Sequence, residues 1–278
     1  MAVEKTRLGI PLLFGYDVIH AYKTTFPIPL AESCSWDLDL IMESARLSAM
    51  EAAASGINWT FNPMVDVSRD PRWGRIAEGS GEDPYLGSLI SEAKVKGYQG
   101  DSLADPLTLA SCVKHFAAYG APEAGRDYNI VDLSERTLHE VYMPPYKAAV
   151  DAGVASIMTS FNEINGVPAS SNYWLLTELL REKWGFEGLI ITDYTSVNEL
   201  IEHGVAKDQK HAAELAFRAG VDVDMQSAAY HEHLAELVKE GTFSESELDI
   251  SVRNVLSLKY DLGLFEDPFA RRKLIERI

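Results

Sequence analysis

The chain is poor in cysteine: Cys34 and Cys112 are the only two in 278 residues. That excludes a disulfide-built scaffold and a multi-cysteine zinc cluster. No uninterrupted apolar run is long enough to span a bilayer. Met1 to Arg7 is followed by no apolar core of a leader, so no secretory signal is expected in this span. Positive charge is scarce. Against 42 Asp and Glu stand 25 Lys and Arg, a formal net charge of −17. Nucleic acid and anionic membrane are therefore disfavoured as partners. The G-x-G-x-x-G fingerprint is missing, which leaves a dinucleotide unsupported. There is neither a repeat of fixed period nor a low-complexity linker, so one large domain is expected.

What is present is a cadence of strand, loop and helix. Its most informative unit runs from Gly188 to Tyr194. Leu189, Ile190 and Ile191 are too few for a helix and too apolar for a half-exposed strand, so they read as a central strand of a parallel sheet. Asp193 then stands at the strand's C-terminal end, where α/β folds keep their chemistry. The competing role, capping the next helix, looks already filled by a capping box of Ser196 and Glu199.

Similar units recur. Leu8 to Tyr16 ends at Asp17, Ile57 to Phe61 leads to Asn62 and Asp66, and Leu109 to Val113 leads to Lys114 and His115. Val154 to Thr159 leads to Asn162, and Val221 to Met225 carries Asp224. Helices are expected over 38–55 with Gly56 behind it, and from Pro84, capped by Asp83, to about 98. Others are expected from an Asp132 and Glu135 capping box to a break at Pro144 and Pro145, over 173–184 behind Asn172, over 230–240, and over 245–260 behind Ser244 and Glu247. Strands alternating with helices imply parallel βαβ units. Nearly every strand delivers a polar residue to the same end. A closed barrel collects all such ends, whereas an open doubly wound sheet uses only those at its switch point. The expected fold is α/β, a TIM-type (β/α) barrel. Six strands are evident, so either two are cryptic or sequence upstream supplies them and the barrel is incomplete at the N-terminus.

The polar groups aimed at the mouth are Asp17, Asp66, Arg72, Arg75, Lys114, His115, Arg126, Asn162, Asp193 and Asp224. With one strand-end histidine, no metal site is expected there, and His231 and His233 read as solvated on a helix. Carboxylates interleaved with cations suit a neutral polyhydroxylated ligand, since each hydroxyl can donate to one and accept from the other. Trp73, Phe161 and Tyr194 offer ring faces for stacking.

These stretches resemble the catalytic barrel of glycoside hydrolase family 3, in its bacterial periplasmic β-glucosidase branch. The resemblance rests on GIPLLFGYDVIH (9–20), NPMVDVSRDPRWGR (62–75), GEDPY (81–85), VKHFAAYG (113–120), NEINGVP (162–168), ITDY (191–194) and KYDLGLF (259–265). Seven motifs in order cover nearly the whole chain. The resemblance implies a retaining exo-β-glucosidase acting on a β-glucoside or β-linked oligosaccharide, without a cofactor, in the periplasm or outside the cell. It implies Asp193 as nucleophile and Asp17, Arg75, Lys114, His115 and Arg126, with Phe161 and Tyr194, around the sugar. It places the barrel at residues 1–267 and a tail or linker remnant at 268–278. Relative to the family the span looks truncated at both ends.

Three features depart from the family pattern. Tyr194 replaces the usual Trp or His after the nucleophile, and Phe161 replaces a Tyr. No acid/base is identifiable. In this branch a Glu from a following α/β-sandwich domain serves, and that domain is the expected partner. The activity of the barrel alone is accordingly expected to be impaired. Two other readings stay open: a non-catalytic sugar-binding barrel, and an aldolase or lyase with Lys114 as Schiff base.

Overall fold

The computed structural model describes residues 1–274. Among the described residues seven strands occur in chain order: β1 (Gly15–Tyr16), β2 (Trp59–Thr60), β3 (Ala110–Phe116), β4 (Ser156–Thr159), β5 (Glu163–Ile164), β6 (Val167–Pro168) and β7 (Leu189–Ile191). Strands β5 and β6 form a small antiparallel hairpin on the rim. The other five pair in parallel in the order β1-β2-β3-β4-β7, and a bridge from Ile191 to Val223 carries the arc one position further. Spatial order follows chain order without reversal. A doubly wound sheet would turn back at a switch point; a singly wound array of βα units is the wall of a TIM-type barrel. Among the described residues no ladder joins β1 to Val223.

Both faces of the wall are buried, for the reason visible in the Leu189–Ile191 run. Alternate side chains face opposite ways along a strand. Cys112, Met158, Leu189 and Ile191 point into the barrel with Trp59, Leu258 and Leu262. Val113, Ile157 and Ile190 point outward against Leu175, Leu176, Leu179, Leu180 and Tyr146 of the helical layer. Burial pushes the Cys112 thiol up to about 12, so it is a core group without thiolate reactivity.

The helices begin largely where their caps require. Asp37 Oδ1 accepts from the Leu40 N–H at 3.0 Å, Asp83 from that of Leu86 at 2.7 Å, and Asn172 from that of Leu175 at 3.1 Å. Ser244 and Glu247 close the expected capping box. Two expected boxes are absent. The helix Ser196–Glu202 starts behind Thr195, at φ 63°, and the Ser196 hydroxyl instead meets Ser170 Oγ at 2.7 Å. Ser134, not Asp132, caps Glu135–Thr137, because Val131 is tied to Ile164 and keeps its neighbour in the extended connection. The first expected strand pairs only at Gly15–Tyr16, since Gly9 at φ 62° and Pro11 break the run before it.

Helices Leu38–Ala54 and Pro84–Gln99 pack closely through buried Ala45 and Gly97. A Cβ at Gly97 would lie 2.4 Å from the Met42 carbonyl oxygen, so only glycine admits this approach. Among the described residues no helix is long and apolar enough to cross a membrane. Within 268–278, Arg271 is buried and donates to the Leu262 carbonyl at 3.0 Å and the Leu103 carbonyl at 3.2 Å. Residues 275–278 of that expected tail lie outside the described residues.

Candidate active site

The mouth is organised by the end of β3. Regular alternation would send Lys114 and His115 to opposite faces. The register against β4 shifts between Val113 and Phe116, and the Lys114–His115 and Phe116–Ala117 peptides are cis. Bulged pairing of this kind re-aims side chains. Here Lys114 reaches Asp17 behind β1, and His115 reaches Asp66 behind β2.

His115 is held from several directions. Asp66 Oδ2 accepts its backbone N–H at 3.0 Å and meets its Nδ1 at 2.8 Å. The Tyr146 hydroxyl lies 2.5 Å from Asp66 Oδ1 and 2.6 Å from the His115 carbonyl oxygen. Asp66 is fully buried, and its acceptor oxygens assign the proton on the facing ring nitrogen to Nδ1. The other nitrogen, Nε2, is buried, has no hydrogen-bond partner, and stands 3.5 Å from Asp193 Oδ2.

Asp193 keeps 14% of its side chain open at the mouth, and its Oδ1 accepts from the Tyr194 N–H at 2.6 Å. Lys114 Nζ, almost fully buried, donates to the half-exposed Asp17 Oδ1 at 2.6 Å. Arg75 is paired with Glu78, Nε to Oε1 at 2.7 Å and Nη2 to Oε2 at 3.0 Å, and lies over the Tyr119 ring. Burial opposes the Arg75 charge, but the Glu78 bond and the fields of Asp193 and Asp66 hold its pKa above the ordinary guanidinium value. Burial likewise works against the Glu78 carboxylate, yet the Arg75 bond, aided by Lys114, keeps its pKa below the usual range. Asp17, Arg75, Lys114, His115 and Asp193 thus form one electrostatic cluster.

The remaining expected groups are placed differently. Phe161 is buried behind the mouth, 4.7 Å from the Tyr128 ring and 5.8 Å from that of Tyr119. Tyr194 is exposed beside Asp193. Arg126 is exposed on its loop, with no ion pair among the described residues, and is not joined to the cluster. Trp73 cannot stack on a ligand: it is wholly buried and donates Nε1–H to Asp127 at 2.8 Å. Arg72 turns back to Asp70 at 2.6 Å. Asp224 accepts from the Tyr230 N–H at 3.3 Å, and Asn162 donates to the Ala117 carbonyl at 3.3 Å, so both serve backbone. His233, expected in solvent, is partly buried against Gln209 at 3.1 Å. Among the described residues no three His, Cys, Asp or Glu side chains are grouped to hold a metal ion.

Glu78 and Tyr146 were missed from sequence. The i,i+3 spacing of Arg75 and Glu78 was the available signal for the first; nothing marks Tyr146, which reaches Asp66 from a helix 80 residues on. The arrangement offers a partly open carboxylate ringed by buried, pre-oriented donors. Such a site can attack an electrophilic carbon while binding several hydroxyls around it.

The chain is similar to known proteins over nearly its whole length. The model of the glycosyl hydrolase family 3 N terminal domain matches residues 1–258. The chain is 50% identical over 265 residues to the "Periplasmic beta-glucosidase" of Salmonella typhimurium, covering 95% of this chain and 35% of that protein. It is 35% identical to the "Lysosomal beta glucosidase" of Dictyostelium discoideum, covering 97% of this chain and 34% of the relative. A crystal structure of a β-glucosidase from Listeria innocua in complex with glucose superposes with a TM-score of 0.95 at 49% identity, covering 98% of this chain and 38% of that one. The chain therefore spans about a third of the length of the curated relatives it matches.

Proposed function

The chain belongs to glycosyl hydrolase family 3, and from that premise we propose that it is the barrel of a retaining exo-β-glucosidase that removes terminal β-D-glucosyl residues. The observation that carries the reading is the open Asp193 carboxylate facing His115 Nε2 within the Asp17, Lys114, Arg75 and Glu78 cluster. Asp193 attacks the anomeric carbon. The bond to the leaving oxygen breaks as the glycosyl ester forms, and a general acid protonates the departing oxygen. Water, deprotonated by the same group, then displaces Asp193 from the opposite side, and two inversions restore the β configuration. The acid/base in this reading lies outside the barrel, on the following sandwich domain that the family resemblance implies, so the barrel alone performs the first step only with a leaving group that needs no proton. The names of the relatives support a glucosyl substrate, and that of the Salmonella protein supports a periplasmic or secreted setting. Lys114 is already bonded to Asp17, which suits hydroxyl binding better than the Schiff-base reading.

The test is covalent. A dinitrophenyl 2-deoxy-2-fluoroglucoside should leave one fluoroglucosyl adduct, mapped by peptide mass spectrometry to Asp193 and absent in Asp193→Asn. A label on another residue overturns the assignment. No label on a chain that melts cooperatively favours a non-catalytic sugar-binding barrel.

A further inference from the structure

Asp127 lies on an exposed loop, yet its carboxylate is bonded into the core. Its Oδ1 accepts the indole N–H of Trp73 at 2.8 Å, and the Trp73 side chain is wholly buried. The loop, residues 122–130, is closed on itself. The Glu123 N–H donates to the Ile130 carbonyl at 3.1 Å, the Gly125 N–H to the Pro122 carbonyl at 3.1 Å, and the Asn129 side chain to the Glu123 carbonyl at 3.0 Å. A compact loop of this kind holds its own shape, so its contacts with the rest of the fold set where it sits. At Gly125, φ 65°, the backbone approaches so closely that a Cβ would lie 2.9 Å from the Trp73 nitrogen. The Tyr128 ring packs 4.7 Å from that of Phe161. Between these two apolar contacts, Asp127 supplies a polar tie.

Trp73 carries this anchoring to the cluster at the mouth. It is the N-cap residue of the short helix Gly74–Glu78, which bears Arg75 and its partner Glu78. Its ring meets that of Tyr119 edge-on at 5.5 Å. Tyr119 in turn supports two members of the cluster. Arg75 lies 5.7 Å over its ring, and the His115 ring stands against it at 5.2 Å. Burial and then the nearby Asp127 carboxylate hold the Tyr119 phenol above its usual pKa, so the hydroxyl stays protonated beside that anion. Arg75 and His115 thus rest on one aromatic plate, and Trp73 and Asp127 fix the plate.

We propose that Asp127 is a positioning residue for the sugar site: through its bond to Trp73 it sets the Tyr119 plate and, on that plate, Arg75 and His115. It acts through the two aromatic side chains and not on the sugar. The inference rests on the reading of this cluster as the site where Asp193 meets a glucoside. A charged acceptor holds the indole N–H more strongly than a neutral one, but asparagine still offers an oxygen at the same place.

The test follows two quantities: the rate at which the dinitrophenyl 2-deoxy-2-fluoroglucoside labels Asp193, read by mass spectrometry, and glucose affinity, read by calorimetry. Asp127→Ala and Trp73→Phe should each slow labelling about tenfold and weaken glucose about 3- to 10-fold. The double variant should be no slower than the worse single one, because both remove the same bond. Asp127→Asn should stay within about threefold of the parent. Melting curves give the folded fraction, to which the rates are referred; a tie that only stabilises the fold lowers the melting temperature and leaves the folded protein's labelling rate unchanged. If the parent is labelled at Asp193 and folded Asp127→Ala and Trp73→Phe label as fast, the positioning role is overturned and the glucosidase reading stands. The same holds if Asp127→Asn is as slow as Asp127→Ala. A cooperatively melting parent that takes no label and binds no glucose removes both.

Discussion

His115 Nε2 lies 3.5 Å from Asp193 Oδ2 while Nδ1 of the same ring meets Asp66 at 2.8 Å. One imidazole is thus suspended between a wholly buried carboxylate and the partly open one. Asp66 fixes the orientation of the ring, and its remaining nitrogen is left unpartnered at the place where substrate would arrive. A buried polar atom without a partner is costly, and a ligand hydroxyl removes that cost on binding.

Affinity for glucose should therefore depend on both β3 residues. Lys114→Ala and His115→Ala are each expected to weaken glucose binding about tenfold or more, the loss of one charge-assisted or buried hydrogen bond. Calorimetric titration measures it. Unchanged affinity in both variants would take these side chains out of the sugar site.

Tyr146→Phe should cost about 1–3 kcal/mol of stability, because the hydroxyl satisfies both Asp66 and the His115 carbonyl in a region without water access. Urea unfolding reads the change. A variant as stable as the parent would mean that another donor replaces the phenol.

Stability should respond to acid through Glu78. Its pKa is lowered on folding, burial being outweighed by the Arg75 bond. A carboxyl depressed in this way stabilises the fold above its unfolded pKa, and the contribution is lost as pH falls through the folded value. Glu78→Gln should then be less stable than the parent at neutral pH, with the gap narrowing as pH drops below about 4.5, the ordinary glutamate value. Melting temperatures of both proteins across this range would show it; a constant gap would contradict the linkage.

Azide distinguishes the two half-reactions. With dinitrophenyl glucoside the barrel alone should form its glucosyl ester and stall, and azide, which needs no base, should restore turnover and yield β-glucosyl azide. Cellobiose should be hydrolysed negligibly, because its leaving group requires a proton. Brisk cellobiose hydrolysis without azide would place an acid/base within these residues. Glu163 is then the weaker candidate, being paired with His203, and the half-buried Glu199 is the one to replace first.

Much of this was legible in sequence because it depends on local chemistry. Alternation of apolar runs with capped helices determined the parallel βα array, and the position of Asp193 at a strand end determined its place at the mouth. Proline behind Asp83 and the Ser244 and Glu247 pair set helix starts through bonds within one turn. Tertiary structure decided what depends on neighbours far along the chain. Trp73 reads as a stacking ring until the fold buries it against Asp127, 54 residues away. The Ser196 and Glu199 box reads as a cap until Ser170 claims the serine hydroxyl. Lys114 and His115 would part to opposite faces in a regular strand; the register shift against β4 brings both to one mouth. Sequence spacing encodes which residues share a turn or a face, whereas the partners of Asp66 come from β3 and a distant helix, and only packing brings those elements together.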